Sequence, residues 1–144
     1  MRVLLVSPDA DARDLLRIAV GSIERRLGES VSFLEAQEGE QGARIGLRER
    51  PDAVVADEIA SRAGAFSLAR DLRGALEPYR GPIVILLERK HDAWLARWSG
   101  ADAWLVPPLD PFELADRLVE LIQTHRAQQA EQPPEHPTEQ REIA

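Results

Sequence analysis

Carboxylates at the ends of short apolar runs are the residues of this chain best placed for chemistry. Asp57 and Glu58 close the run AVVA, while Asp9 and Asp11 follow Ser7-Pro8 just after the run VLLV. A hard divalent cation such as Mg2+ takes oxygen ligands of this kind, usually one or two carboxylates completed by water or substrate phosphate. Asp9 and Asp57 are therefore the candidate metal ligands. Each also has a plainer reading: Asp9 and Asp11 favour a helix N-terminus through its dipole, and Asp57 accepts hydrogen bonds from loop amides. Glu58 carries the same two readings. Other constellations offer less. Lys90, His91 and Asp92 adjoin one another as the charged first turn of a helix does, and His125 and His136 have no partner at metal-ligand spacing. There is no glycine-rich phosphate loop of the GxGxxG or GxxxxGKS/T type. With no cysteine in the chain, a thiol nucleophile, a thiolate metal site and a disulfide framework are all excluded.

The elements that must position these acids follow from periodicity. Apolar runs alternate with longer amphipathic segments, which is the pattern of βα units. Strands are expected at 3–6, 31–35, 53–56, 83–87 and 103–106, the first, third and fourth continuously apolar as parallel strands covered on both faces should be. Helix one is expected to start near Ser7-Pro8 and to bury Leu15, Leu16, Ala19, Ile23 and Leu27. Further helices are expected at 41–49, at 66–76 with Leu68, Leu72 and Leu76 in register, and at 91–98, ending at Gly100. The last opens at Asp110-Pro111-Phe112-Glu113, a capping-box pattern, and carries Leu114, Leu118, Leu121 and Ile122 on its buried stripe. Five such units make an α/β domain with a three-layer, doubly wound, five-stranded parallel sheet. Its ligand crevice lies at the carboxyl ends of the strands.

At 144 residues the chain has the size of one domain, here 1–126, followed by an acidic tail or linker rich in Pro, Gln and Glu at 127–144 that has almost nothing to bury and is expected to be disordered. The formal charge of −7 argues against a nucleic-acid surface, and Arg44, Arg48 and Arg50 read as a solvated helix edge. No segment approaches the roughly 20 apolar residues of a membrane span, so a cytoplasmic location without membrane partners is the expectation.

Three segments carry a family resemblance. RVLLVSPDADARDLLR, EAQEGEQGARIGLRERPDAVVADE and GADAWLVPPLDPFELADRLVEL together resemble, in order and spacing, the response-regulator receiver domains of the CheY-like family, over about residues 2–124. The resemblance implies the (βα)5 flavodoxin-like receiver fold and places Asp57 at the phospho-accepting position. It also implies which groups should surround that aspartate. The Mg2+-binding acidic pair falls on Ser7 and Pro8, the phosphoryl-binding Ser or Thr on Leu87, and the phosphoryl-binding Lys on Pro107, so none is of the family's type. Trp104 falls on the switch aromatic, and the bond Pro107–Pro108 is expected to be cis. Trp94 and Trp104 are candidates for an interaction face on helix four, strand five and helix five, used for a homodimer or for an output partner, whereas Trp98 is expected to fill the core.

An incoming phosphoryl group brings about two negative charges. Each opposite charge at ~4 Å offsets roughly 4 kcal/mol at an effective dielectric of about 20. Loss of these groups therefore predicts an atypical pseudo-receiver of bacterial two-component signalling, not an enzyme, which needs no cofactor and acts by binding a histidine kinase or a downstream output protein. Two alternatives stand beside it. One is a working phosphorelay receiver, phosphorylated on Asp57 with Mg2+; the other is a small-ligand sensor whose crevice is lined by Ser7, Asp57 and Leu87.

Overall fold

The five apolar runs form one sheet. In the computed structural model, which describes residues 1–58 and 64–131, the strands are β1 (Arg2–Val6), β2 (Ser32–Ala36), β3 (Ala53–Asp57), β4 (Ile83–Leu86) and β5 (Ala103–Leu105). They are parallel throughout and lie in the order β2-β1-β3-β4-β5. Because side chains alternate along a strand, β1 sends Val3 and Leu5 into one core and Leu4 and Val6 into the other. All four are fully buried.

The helices are α1 (Ala10–Gly21), α2 (Glu24–Leu27), α3 (Gly39–Glu49), α4 (Ala65–Gly74), α5 (Ala93–Ser99) and α6 (Pro111–Glu131), with a 3-10 turn at Lys90–Asp92 before α5. Leu16, Val20 and Ile23 pack with Leu114, Leu118 and Ile122 of α6 on one face of the sheet. Leu68 and Leu72 of α4 and Ala96 of α5 cover the other. Close approach of α3 to α4 rests on Gly46, where an added Cβ would lie 2.8 Å from Leu72 Cδ2. Gly100 ends α5 at φ 95°, a left-handed cap that only glycine takes without strain.

Several boundaries depart from expectation for physical reasons. Ser7-Pro8 does not cap α1; Asp9 does, its carboxylate accepting from Asp11 N at 2.9 Å, because the Ser7 hydroxyl is engaged elsewhere. Leu15 is 65% exposed and not part of the buried stripe, which runs through Leu16, Ala19, Val20 and Ile23. Leu76 lies beyond the end of α4 and is fully exposed, so only Leu68 and Leu72 of that predicted register are buried. The cap of α6 is as expected, Asp110 Oδ1 accepting from Phe112 N at 2.9 Å. That helix then continues through 127–131, residues expected to be disordered. Ala and Gln are good helix formers and extend it with no apolar stripe to bury. Residues 132–144 of the expected tail lie outside the described residues.

Candidate functional site

Strand register assembles the crevice. Val6 of β1 is level with Ala36 of β2 and Ala56 of β3, so the next residues, Ser7 and Asp57, meet at the carboxyl edge where the chain leaves β1 and β3 for opposite sides of the sheet. Ser7 is buried; its Oγ donates to Asp57 Oδ2 at 3.3 Å and accepts from Asp9 N at 3.2 Å. Pro8 is exposed, and the Asp9 carboxylate is held by the first turn of α1. Across the sheet Leu87 is 5% exposed, its amide bonded to Leu105 O at 2.8 Å, and Pro107 follows β5 through a cis bond to Pro108. The result is a hollow of about 170 Å3 lined by Asp57 together with Leu16, Leu86, Leu87, Leu105 and Pro107 among others. Asp57 is the one charged residue among those described that line it.

One carboxylate, one neutral hydroxyl and aliphatic walls do not suit Mg2+, which needs near-octahedral oxygen ligation. No group of three or more His, Cys, Asp or Glu side chains that could hold a metal ion occurs among the described residues. A larger hollow of about 210 Å3 lies at the opposite, amino end of the strands, beside Arg50, Arg80 and Arg126. It is remote from Asp57, and Arg50 there already donates to the Glu77 and Pro78 carbonyls.

No family model matches the chain. An uncharacterized response regulatory protein of Mycobacterium tuberculosis (strain ATCC 25618 / H37Rv) is 28% identical over 122 residues, 85% of this chain and 91% of that protein. The BeF3-activated N-terminal receiver domain of Klebsiella pneumoniae RstA superposes with TM-score 0.71 at 24% identity, over 85% of this chain and 98% of that one. The receiver domain of a sensor histidine kinase of Pseudomonas aeruginosa PAO1, solved with a magnesium ion coordinated in its active-site cleft, gives 0.68 at 24%, over 85% and 97%. The chain has the receiver fold.

Other charged residues either hold the crevice loop or stand apart from it. Arg13 is a positioning residue that its sequence context conceals, since an arginine on a helix surface reads as solvated. Its side chain is 13% exposed; Nη1 donates to Ser7 O at 2.5 Å and Nε to Glu35 Oε1 at 2.9 Å, fixing the loop that carries Ser7. Glu35 also pairs with Arg17. Arg44 and Arg48 pair with Glu40 and Glu49, as a solvated face would. His125 is half-buried on α6, and His136 lies outside the described residues.

Glu58 joins the strand ends to the α5 entry. Its amide donates to Leu86 O at 2.9 Å, its Oε2 accepts from Glu88 N, and its carboxyl hydrogen-bonds Asp92 in the 3-10 turn that holds Lys90 and His91. Burial, reinforced by that bond, pushes Glu58 up to about 7, while the same bond holds Asp92 below the usual carboxylate range. The folded pair therefore keeps a proton that the unfolded chain has released above about pH 4.5. Stability from Glu58 is full below that value and is lost as pH rises through about 7. The Asp92 contribution has the opposite sign and is lost only on acidification. The urea midpoint should thus fall between about pH 5.5 and 8, and Glu58→Gln should flatten that fall. An unchanged slope in the variant would contradict the pairing.

The tryptophans divide unexpectedly. Trp94 is 66% exposed, as an interaction residue should be, and Trp104 is half-buried against the α4–α5 core with the Arg97 guanidinium 5.6 Å from its ring. Trp98 does not fill the core. It is 57% exposed, and its ring is covered by the Arg70 guanidinium at 4.1 Å. A cation–π contact on the surface takes the place of the expected apolar packing.

No described helix is long and apolar enough to cross a membrane.

Proposed function

We propose that this receiver domain of the two-component signalling type acts by binding a protein partner, with ordinary Mg2+-dependent phosphorylation of Asp57 impaired. The observation that supports this reading is the aliphatic lining beside Asp57, which includes Leu87 and Pro107; the family resemblance matches these two to phosphoryl-binding groups, and Ser7 and Pro8 to the metal-holding acidic pair. Phosphoryl transfer is chiefly positioning and charge stabilisation, so a site in which the matched acidic pair and lysine are replaced by Ser7, Pro8 and Pro107 loses most of what drives it. A protein at this edge of the sheet keeps a well-formed scaffold and an exposed aromatic face instead.

The partner surface in this reading is the α5–β5–α6 face, with exposed Trp94 as its principal anchor and half-buried Trp104 as the second. The occupant is a histidine kinase, a downstream output protein or a second copy of this chain. Exposed tryptophan is the residue type most enriched at binding hot spots, where truncation costs about 2 kcal/mol or more. Trp94→Ala is therefore expected to weaken self-association or partner binding by at least about tenfold, as read by sedimentation and by titration with the cognate kinase's receiver-docking domain. Unchanged association in both Trp94→Ala and Trp104→Ala would remove this face from the account.

A further inference from the structure

We propose that the outer face of α4 and α5, where Trp94 and Trp98 stand beside the guanidiniums of Arg70 and Arg97, binds an acidic segment of a partner protein. Carboxylates of that segment meet the two arginines, and an apolar side chain of it lies on the tryptophans. The proposal rests on the reading that the domain works by binding a protein. It deepens that reading by naming the chemistry of the partner and by extending the contact onto α4, outside the α5–β5–α6 face.

The aromatic half of the face follows from helix spacing. Trp94 and Trp98 stand four residues apart on α5, hence on one side of it, and both are more than half exposed. Tryptophan brings a large apolar surface and is enriched at binding hot spots, so two of them exposed side by side mark a surface that a partner covers.

The charge of the partner follows from the arginines. Arg70 lies over the Trp98 ring at 4.1 Å and Arg97 over the Trp104 ring at 5.6 Å, and both arginines are exposed. Among the described residues neither guanidinium has a hydrogen-bond or ion-pair partner. Arg2, Arg13, Arg17, Arg26, Arg44 and Arg48, by contrast, each pair with a carboxylate. Stacking on a ring covers the flat face of a guanidinium and leaves the N–H donors around its edge open, the geometry that takes a carboxylate through two parallel bonds.

Local sequence keeps acids away from these donors. The helix α5, AWLARWS, has no acidic residue, and the positions three and four away from Arg70 on α4 are Phe66, Ser67, Arg73 and Gly74. Asp71, the one acid of α4, adjoins Arg70 in sequence and therefore does not face it. Of the three arginines on the two helices Arg73 is taken up by Asp102, which leaves Arg70 and Arg97 as the open pair.

Charge also decides between occupants. A second copy docking symmetrically would set this patch against itself, arginine to arginine. A nucleic acid needs a run of cations to match its phosphates, and two arginines on a chain of formal charge −7 do not supply one. A few carboxylates beside an apolar residue satisfy both halves of the face.

The test uses the full chain and, as ligand, a short end-capped synthetic peptide of Glu and Asp around one Phe. Its Gln and Asn counterpart and a single-stranded oligothymidylate serve as controls, and binding is followed by NMR of backbone amides and tryptophan indoles. Saturable shifts of the Trp94 and Trp98 indoles and of the amides around them are expected, with the acidic peptide at least about tenfold tighter than the neutral one. Arg70→Gln and Arg97→Gln should each weaken it about threefold to fivefold and the double variant at least about tenfold, the spectrum being otherwise unchanged because both side chains are exposed. Equal affinity of the two peptides, shifts centred elsewhere, no saturable shift, or tighter binding of the oligonucleotide would each overturn the proposal. Concentration-dependent shifts of the same indoles without peptide would assign the face to a second copy and overturn it too. Failure here is separable from failure of the broader reading. If Trp94→Ala still weakens association with the kinase domain while the acidic peptide does not bind, only the chemistry assigned to the partner falls. If Trp94→Ala and Trp104→Ala leave every association intact and the peptide does not bind either, the binding reading falls with it.

Discussion

A chain carrying Ser7→Asp, Pro8→Asp, Leu87→Thr and Pro107→Lys is expected to take up a phosphoryl group from acetyl phosphate and Mg2+ at least roughly 10²-fold faster than the native chain. The four substitutions restore, position by position, what the family resemblance implies: two carboxylates for the cation, a hydroxyl for one phosphoryl oxygen and an ammonium for another. Loss of a single preorganised stabilising group commonly costs about 10²–10³ in rate, so restoring several should be visible even if the rebuilt site is imperfect. The scaffold favours the experiment, since Ser7 and Asp57 already meet at 3.3 Å. Asp57→Ala in the restored background should abolish the gain. Equal rates in native and restored chains would mean that the native crevice stabilises the phosphoryl group by groups other than those matched here.

Arg73→Ala should be the most damaging single change to the scaffold outside the apolar core. The guanidinium donates from Nε to Gly100 O at 3.0 Å, from Nη1 to Tyr79 O at 2.7 Å and Gly81 O at 2.9 Å, and from Nη2 to Asp102 Oδ2 at 2.7 Å. Asp102 Oδ2 in turn accepts from Ile83 N at 2.8 Å, the first residue of β4. One side chain thus ties the last turn of α4 to the start of β4, the cap of α5 and the entry to β5. Its removal leaves three carbonyls without a donor and Asp102 without its cation. With each such bond contributing about 1.5–3 kcal/mol when one partner is charged, and allowing for partial solvent access, a loss of about 3 kcal/mol is expected. That corresponds to a fall of roughly 10 °C in Tm for a domain of this size. Arg73→Lys should not restore it, because one ammonium cannot reach acceptors spread over four residues. A fall of less than about 1 kcal/mol would show that water replaces the guanidinium at little cost.

The scaffold was readable from the chain because parallel strands buried on both faces are continuous apolar runs, and VLLV, AVVA and IVIL could be little else. Helix faces were harder where two apolar residues stand side by side. Leu15 and Leu16 fit the same stripe equally well on paper, and packing of α1 against α6 selects Leu16. The paired spacing of Trp94 and Trp98 could not reveal that Arg70, from another helix, covers the second ring. Substitution at four crevice positions was visible from the resemblance. That the substitutes close into an apolar hollow was not, since it depends on Leu16 and Leu105 arriving from separate elements. Arg13 stayed hidden for a related reason: a guanidinium declares itself as structural only when its acceptors, Ser7 O after β1 and Glu35 of β2, are brought together by the fold.

The central claim, that this receiver fold no longer supports Mg2+-dependent phosphorylation of Asp57, is tested most directly by intact mass spectrometry of the native chain after incubation with acetyl phosphate and Mg2+. The account predicts an unmodified mass under conditions in which the restored variant is labelled. A phosphoryl adduct on the native chain that disappears in Asp57→Ala would contradict it.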